Sequence, residues 1–206
     1  MPRNRPFPTT EQQQVFDQLV DKAGECRLCP RMCQRTAVLS NANGVLNAKV
    51  FFVGEAPGQK GADRTRIPFH GDISGRNFDQ FIASIGLTRA DIFISSAAMC
   101  NPRTQDGRKN DKPTTTEIRN CNPYLKTLID LIDPPVVATL GSVALTALHL
   151  IERHKLKLGE TAGQPHKWYN RIVVPLYHPA QRVLNKARPF DDQLRDYATI
   201  KRSLKF

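Results

Sequence analysis

Short apolar segments alternate with helical segments along this chain, and the alternation constrains the fold more than any other feature. Four apolar segments have the length of buried strands, and they lie at residues 49–53, 91–95, 136–140 and 171–175. Strands that alternate with helices favour a parallel sheet covered by helices on both faces. The length of 206 residues fits one domain with a full core. We therefore predict one α/β domain over residues 1–206.

Helix signals and turn signals separate these strands. Thr9 and Thr10 precede a predicted helix over residues 11–22, and Thr114 with Glu117 forms a capping box that begins a helix reaching about residue 131. Further helices are predicted at 76–85, 141–151 and 191–204. Residues 54–75 are expected to form a long Gly-rich connection, and residues 154–166 a loop or hairpin.

Three polar side chains follow predicted strands directly. Glu55 comes after the first strand, Ser96 after the second and His178 shortly after the fourth. Ligands of parallel α/β sheets bind beyond the carboxyl ends of the strands. These side chains are therefore expected to meet in one crevice, although they are far apart in sequence.

The charge balance points to an anionic partner. The chain has 30 Lys and Arg against 19 Asp and Glu, a net charge of +11. Nucleic acid is the first candidate and a membrane surface the second, while a basic protein without such a partner remains an alternative. The apolar runs are too short to span a bilayer, and residues 1–8 have no apolar stretch of a signal peptide. We expect a cytoplasmic protein that does not bind membranes.

Five cysteines, an odd number without a secretion signal, argue against a disulfide framework. Cys26 and Cys29 have the C-x-x-C spacing with which two thiolates bind one metal centre. With Cys100 and Cys121 they could complete a tetrathiolate site for zinc or an iron–sulfur cluster. The alternative is that Cys100 and Cys121 are plain core residues. Cys33 has no evident partner and is read as a structural or free thiol.

The chain resembles the uracil-DNA glycosylase superfamily, specifically its iron–sulfur families 4 and 5, from about residue 26 to residue 182. The GEAPG sequence at 54–58 looks like family 4, whereas residues 61–75 look more like family 5. We therefore interpret the chain as a member intermediate between the two families. The motifs are, in chain order, the Cys26 and Cys29 pair, GEAPG, Pro68-Phe69, GDISG at 71–75, Cys100-Asn101-Pro102, the helix with Cys121 and Tyr124-Leu125, and His178-Pro179-Ala180.

This resemblance implies a fold, a cofactor and an activity. The fold would be a three-layer sandwich with a four-stranded parallel sheet flanked by helices. A 4Fe–4S cluster would be bound by Cys26, Cys29, Cys100 and Cys121, with zinc as the chemical alternative, and residues 1–35 would complete the cluster site. The activity would be that of a monofunctional DNA glycosylase in base excision repair. It would hydrolyse the N-glycosidic bond of uracil or a related deaminated base in DNA, and we expect it to act as a monomer.

The resemblance also suggests catalytic roles. Cleavage develops positive charge on the sugar and negative charge on the leaving base. Glu55 is the candidate for the sugar side, where a carboxylate stabilises the cation and orients water, and Asp72 competes for this role. His178 is the candidate for the leaving base, which it would stabilise by a hydrogen bond. The structural alternatives are a loop glutamate and a turn histidine.

Residues that bind the base and the DNA follow from the same resemblance. Gly54, Ala56, Phe69 and Ser96 are expected to form the base pocket, with Phe69 stacking on the base unless it is a core residue. Gln181, Arg182 and Arg103 are expected to contact DNA, the first two at the position of the family's inserted wedge.

One position departs from the family pattern. Families 4 and 5 carry asparagine four residues before the third cysteine, where this chain has Ser96. A hydroxyl can rotate and either donate or accept, so serine should discriminate bases less sharply than an amide does. We expect weaker uracil excision or a changed base preference, with hypoxanthine or xanthine as candidates. The competing functions are a non-catalytic iron–sulfur protein that binds DNA lesions or single strands, and a zinc-stabilised nucleotide-processing protein.

Overall fold

A single mixed sheet lies at the centre of the protein. The computed structural model describes residues 7–205, so the interpretation of residues 1–8 as lacking a signal peptide falls largely outside the described residues. Within this range the strands follow the order β2-β1-β3-β5-β4 across the sheet. They are β1 (Val50–Gly54), β2 (Ile92–Ser96), β3 (Val136–Leu140), β4 (His166–Trp168) and β5 (Arg171–Leu176).

Four of these strands are parallel, as the sequence predicts. β1 pairs with β2 on one side and with β3 on the other, and β3 pairs with β5. The register aligns Gly54 at the end of β1 with Ser96 at the end of β2. It also aligns Leu140 with Leu176 at the ends of β3 and β5. The carboxyl ends of all four strands therefore lie at one edge of the sheet.

Helices connect and cover the strands. A capping box begins each of the helices α1 and α4 and provides partners for the first backbone amides. It is formed by Thr9 with Gln12 in α1 and by Thr114 with Glu117 in α4, and the second confirms the predicted capping box. The helices are α1 (Thr10–Glu25), α2 (Ala62–Thr65), α3 (Ile73–Ser84), α4 (Thr115–Ile132), α5 (Ser142–Ile151), α6 (Leu158–Thr161), α7 (Gln181–Lys186) and α8 (Phe190–Ser203).

Each face of the sheet has its own apolar core. Phe51, Val53 and Phe93 point to the face covered by α1, α4 and α5. Phe52 and Ile94 point to the opposite face, which α3 and α8 cover. Most side chains of the four parallel strands are buried and apolar, with Ser95 and Thr139 as buried polar exceptions, in contrast to the one-sided pattern of a solvent-facing sheet. The predicted three-layer α/β architecture is confirmed.

The strand count and two connections differ from the predictions, since the loop or hairpin predicted at 154–166 contains α6. A fifth strand, β4, pairs antiparallel with β5 at the edge of the sheet. It is joined to β5 by Tyr169 and Asn170, whose positive φ angles of 47° and 56° suit a tight two-residue hairpin. The sequence gives little sign of this turn because glycine is missing from it. The connection predicted at 54–75 contains the short α2 and the first residues of α3.

No helix within residues 7–205 combines the length and the apolar character needed to cross a membrane.

Candidate active site at the carboxyl edge of the sheet

A cavity of about 500 Å³ opens where the parallel strands end. Residues that follow four different strands line it, including Glu55 after β1, Ser96 at the end of β2, Gly141 after β3 and His178 after β5. The three polar residues expected from the sequence to meet in one crevice therefore do so. The geometry of each residue indicates which chemistry it can perform.

Glu55 is held by the sheet itself. Hydrogen bonding continues past the end of β2, since the Ala97 and Ala98 amides donate to the carbonyls of Gly54 (2.9 Å) and Glu55 (3.1 Å). The Glu55 side chain is partly buried, and this burial raises the pKa of its carboxyl above the ordinary value. The positive charges of Lys112 and then Arg182 act in the opposite direction and favour the ionised form.

Asp72 caps a helix at the wall of the cavity. Its Oδ1 accepts a hydrogen bond of 2.8 Å from the Gly75 amide in the first turn of α3. The turn around Gly61 packs closely against the other oxygen, because a Cβ at Gly61 would lie 2.5 Å from Asp72 Oδ2. The carboxylate thus has a structural function, and it also lines the cavity together with Glu55.

His178 is a neutral hydrogen-bond donor in this site. Its Nδ1 accepts a hydrogen bond of 3.1 Å from the Ala180 amide, which places the proton of the neutral ring on Nε2. Loss of solvent around the ring lowers the pKa of His178 to about 4, with Asp72 opposing and Arg182 adding to the shift. At neutral pH the ring is therefore uncharged, and Nε2 carries its only N–H.

Phe69 adopts a left-handed backbone conformation, with a φ of 49°. Its ring stacks on Phe78 with centroids 4.9 Å apart and lies 5.5 Å from the ring of His178. The backbone is held by Arg89, which donates to the carbonyls of Pro68 (2.8 Å) and Phe69 (2.6 Å). One aromatic ring is thereby fixed at the cavity wall next to the histidine.

The remaining expected base-pocket residues lie at or just beyond the ends of β1 and β2. Gly54 leaves room for the ring, since a Cβ there would lie 3.3 Å from Phe69 Cε2 and 3.5 Å from Ser96 Oγ. Ala56 and Ser96 line the cavity. Sequence reasoning missed Ser95, which also lines it and whose buried Oγ has no hydrogen-bond partner within the described residues. Nothing in a pair of adjacent serines distinguishes the two beforehand.

The three residues expected to contact DNA have different surroundings. Arg182 lines the cavity. Gln181 is exposed and donates to Asn185 Oδ1, one turn along α7. The Arg103 guanidinium is 2.7 Å from the Asp63 carboxylate and donates to Asn101 Oδ1 (2.8 Å), with its side chain 20% exposed. Arg103 thus orders its own loop, and its contact with DNA stays a prediction.

A network of side-chain amides joins two loops of the site. Asn101 is buried and donates to the Pro57 carbonyl and to Asn110 Oδ1 (2.9 Å). Asn110 Oδ1 also accepts from the Gln59 amide at 2.9 Å. The basic loop after β2 is therefore attached to the turn that follows Glu55, and it brings Lys112 to the cavity. Sequence reasoning did not single out Lys112, because its position depends on these contacts.

The four cysteines expected to bind a cluster lie near one another. Cys29 and Cys121 are buried, and both Cys100 and Cys121 have raised pKa values, about 11 and about 12, caused first by burial and further by the charges of the other cysteines. Cys26 contributes to both shifts. Cys33, in contrast, is exposed.

These four cysteines offer only sulfur as a ligand atom. Among residues 7–205 no three His, Cys, Asp or Glu side chains are arranged to hold one ion. A cluster of several irons is larger than one zinc ion and binds thiolates that stand farther apart. Four neighbouring thiols, two of them buried, are the kind of ligand that iron–sulfur clusters take, and the cluster itself stays a prediction.

Comparisons with known proteins show which family the chain is similar to. The family model described as the uracil DNA glycosylase superfamily matches residues 42–201. The chain is 28% identical to the type-4 uracil-DNA glycosylase of Thermotoga maritima, covering 85% of this chain and 86% of that protein. It is 32% identical to the type-4 enzyme of Saccharolobus solfataricus (82% and 78% coverage) and 27% identical to the type-5 uracil-DNA glycosylase of Pyrobaculum aerophilum (84% and 86%).

The capping role of Asp72 predicts a difference between two substitutions. Asp72→Ala removes the acceptor for the Gly75 amide and should lower the free energy of unfolding by about 1 kcal/mol. Asp72→Asn keeps an oxygen acceptor and should cost less than about 0.5 kcal/mol. Urea-induced unfolding of the two variants and the parent measures this. An equal loss in both variants would contradict the cap.

Proposed function

The chain belongs to the uracil-DNA glycosylase superfamily, and we propose that it hydrolyses the N-glycosidic bond of uracil, or of a related deaminated base, in DNA. The product is an abasic site, and the strand itself stays intact. The observation that carries this proposal is the placement of a neutral His178, with its proton on Nε2, in the same cavity as Glu55. These are the two kinds of group that base removal requires, a donor for the leaving base and an anion for the sugar.

The substrate base enters the cavity from an opened helix. A glycosidic bond inside a stacked duplex is out of reach, so the nucleotide must be extruded. A cavity of about 500 Å³ has room for one base and part of its sugar. Phe69 supplies a fixed aromatic face for stacking, and Gly54 keeps the ring close to the strand ends.

His178 stabilises the departing base. As the bond breaks, negative charge builds up on a carbonyl oxygen of the base, and the Nε2–H donates a hydrogen bond to it. The ring does not need to transfer a proton, since its low pKa keeps it neutral and makes the cation unfavourable. The Ala180 amide holds the tautomer in place throughout.

Glu55 acts on the sugar side in this proposal. Its carboxylate stabilises the developing positive charge and orients the attacking water, and the positive charges of Lys112 and Arg182 favour its ionised form. Asp72 uses one oxygen to cap α3, which supports assigning it chiefly to the structure of the site. Its negative charge also stabilises positive charge nearby.

Ser96 adjusts which base is accepted. Its hydroxyl, beside Gly54 and Phe69, offers a donor or an acceptor, whereas the family's asparagine offers both in fixed positions. We therefore propose that the chain discriminates uracil from other deaminated bases, such as hypoxanthine and xanthine, less sharply than an asparagine enzyme. Replacing Ser96 with Asn should sharpen the preference for uracil.

Cys26, Cys29, Cys100 and Cys121 would hold a 4Fe–4S cluster with a structural role. The cluster would join the segment after α1 to the end of β2 and to α4, the elements that carry these cysteines. The groups in this account surround one sheet, which supports our expectation of one domain. That the protein acts on DNA as a monomer stays a prediction.

Base release is the direct test of the function. Oligonucleotides with uracil, hypoxanthine, xanthine or a mismatched thymine, as single strands and duplexes, are incubated with the protein and then cleaved with alkali at abasic sites. We expect product from uracil, and we expect His178→Ala to slow its formation by roughly 10²–10³ because the leaving base loses its hydrogen-bond donor.

The other results are equally informative. Product from a purine lesion alone would keep the chemistry and assign the changed preference to Ser96, which Ser96→Asn should reverse. A protein that binds these DNAs with its cluster intact, yet releases no base, would contradict the enzyme and favour the non-catalytic binder.

The pH dependence of base release separates Glu55 from His178. The raised pKa of Glu55 means that its carboxyl is still protonated where an ordinary glutamate is ionised, so activity is lost as pH falls through that pKa. His178, with a pKa of about 4, is already neutral in that range. Single-turnover rates should therefore show an acidic limb that Glu55→Gln removes, while Asp72→Asn retains it. A limb centred near the ordinary histidine value, about 6.5, would contradict this assignment.

The cluster predicts a colour and a metal content. The purified chain should absorb visible light and contain about four iron atoms per molecule. Cys121→Ala should lose both, whereas Cys33→Ala, a matched change at an exposed cysteine, should keep both. Stoichiometric zinc without iron would contradict the cluster.

A further inference from the structure

Lys112 lies at the rim of the cavity, on the loop that precedes α4. It lines the cavity together with Glu55 and Arg182, and its residue is exposed to solvent. Its charge is the first of the two positive charges that act on the Glu55 carboxylate. The ammonium group is therefore close to the catalytic carboxylate and open to a ligand approaching from solvent.

Hydrogen bonds from the cysteine segment, residues 26–33, hold the backbone of Lys112 in place. Arg31, between Cys29 and Cys33, donates to the Lys112 carbonyl at 2.6 Å and to Asp111 Oδ2 at 2.7 Å. The Asp111 amide in turn donates to the Pro102 carbonyl at 2.9 Å. A surface loop would normally leave such a lysine free to move, but these bonds hold its backbone in one place.

Arg31 is itself held by a buried partner. It donates through Nε to Glu117 Oε1 at 2.6 Å and through a terminal nitrogen to Oε2 at 2.8 Å. Glu117 is 5% exposed and also accepts from the Thr114 amide at 2.7 Å. A two-pronged arginine–carboxylate pair of this kind is geometrically specific. One guanidinium thus links the cysteine segment, the start of α4 and the loop at the cavity rim.

A DNA substrate needs a cation at this rim. The phosphates on either side of an extruded nucleotide are negative, and Glu55 would repel them when it is ionised. Arg182, on α7, can neutralise one of these phosphates. Lys112 comes from a different loop and can neutralise a second phosphate.

We propose that Lys112 binds a DNA phosphate beside the extruded nucleotide, and that Arg31 is the positioning residue that holds it there. The proposal rests on the proposed function, since it takes DNA as the ligand. It gives the cysteine segment a direct part in substrate binding: through Arg31, that segment determines where the phosphate contact lies.

The test is the salt dependence of DNA binding. The probe is a fluorescent duplex with one tetrahydrofuran abasic-site analogue, which cannot be cleaved, and its affinity is measured by anisotropy over a range of KCl concentrations. Loss of one phosphate contact should make the slope of log K against log salt shallower by about 0.9. Lys112→Ala should show this change, with affinity about five- to tenfold weaker near about 0.1 M salt.

Two further variants separate position from charge. Lys167→Ala removes the same charge from an exposed lysine of β4. Lys167 pairs with Ile172 near the start of β5, whereas His178 follows the other end of that strand. This variant should leave the slope unchanged. Arg31→Lys keeps the net charge but loses the two-pronged contact, so it should make the slope shallower as Lys112→Ala does. Combining Arg31→Lys with Lys112→Ala should add little, because both remove one contact.

An unchanged slope in Lys112→Ala would overturn the proposal, as would an equal change in Lys167→Ala. Visible absorbance and the melting temperature verify that Arg31→Lys keeps its fold and cluster; if it does not, the comparison of Lys112→Ala with Lys167→Ala decides alone. The proposed function fails separately, through absence of base release in the parent protein, because the binding probe requires no catalysis.

Discussion

The parallel register of four strands is the constraint on which the site depends. It brings the ends of β1, β2, β3 and β5 to one edge, so residues separated by more than a hundred positions share one cavity. Backbone hydrogen bonds continue this alignment beyond the strands, since the amides of Ala97 and Ala98 donate to the carbonyls of Gly54 and Glu55. Residues that carry charge can then be placed on fixed backbone, which costs little reorganisation when a substrate binds.

Burial gives each polar group of the cavity a defined state. It lowers the pKa of His178 and raises that of Glu55, and in both groups it favours the uncharged form. For the histidine this is the useful state, because a neutral ring donates without giving up a proton. For the glutamate, burial is opposed by the charges of Lys112 and Arg182, which favour the anion that the proposed chemistry uses. The same cations would meet an anionic ligand.

The sequence predicts the frame of this site better than its connections. The strands, the capping box at Thr114 and the shared crevice follow from apolar periodicity and strand ends, which are local features. The sequence does not predict the β4–β5 hairpin, because Tyr169 and Asn170 adopt positive φ angles although neither is a glycine. The sequence also gives no sign that Arg103 pairs with Asp63, forty positions away. Such long-range contacts depend on the completed fold.

The central claim is that His178 is a neutral donor with its proton on Nε2, and nitrogen-detected NMR of the imidazole tests it most directly. With ¹⁵N-labelled histidine, and the His178→Gln variant to identify the signal, the ring should show a protonated Nε2 and an unprotonated Nδ1 from about pH 5 to about pH 8. No titration should occur in that range. A ring that titrates near about 6.5, or that carries its proton on Nδ1, would contradict the account.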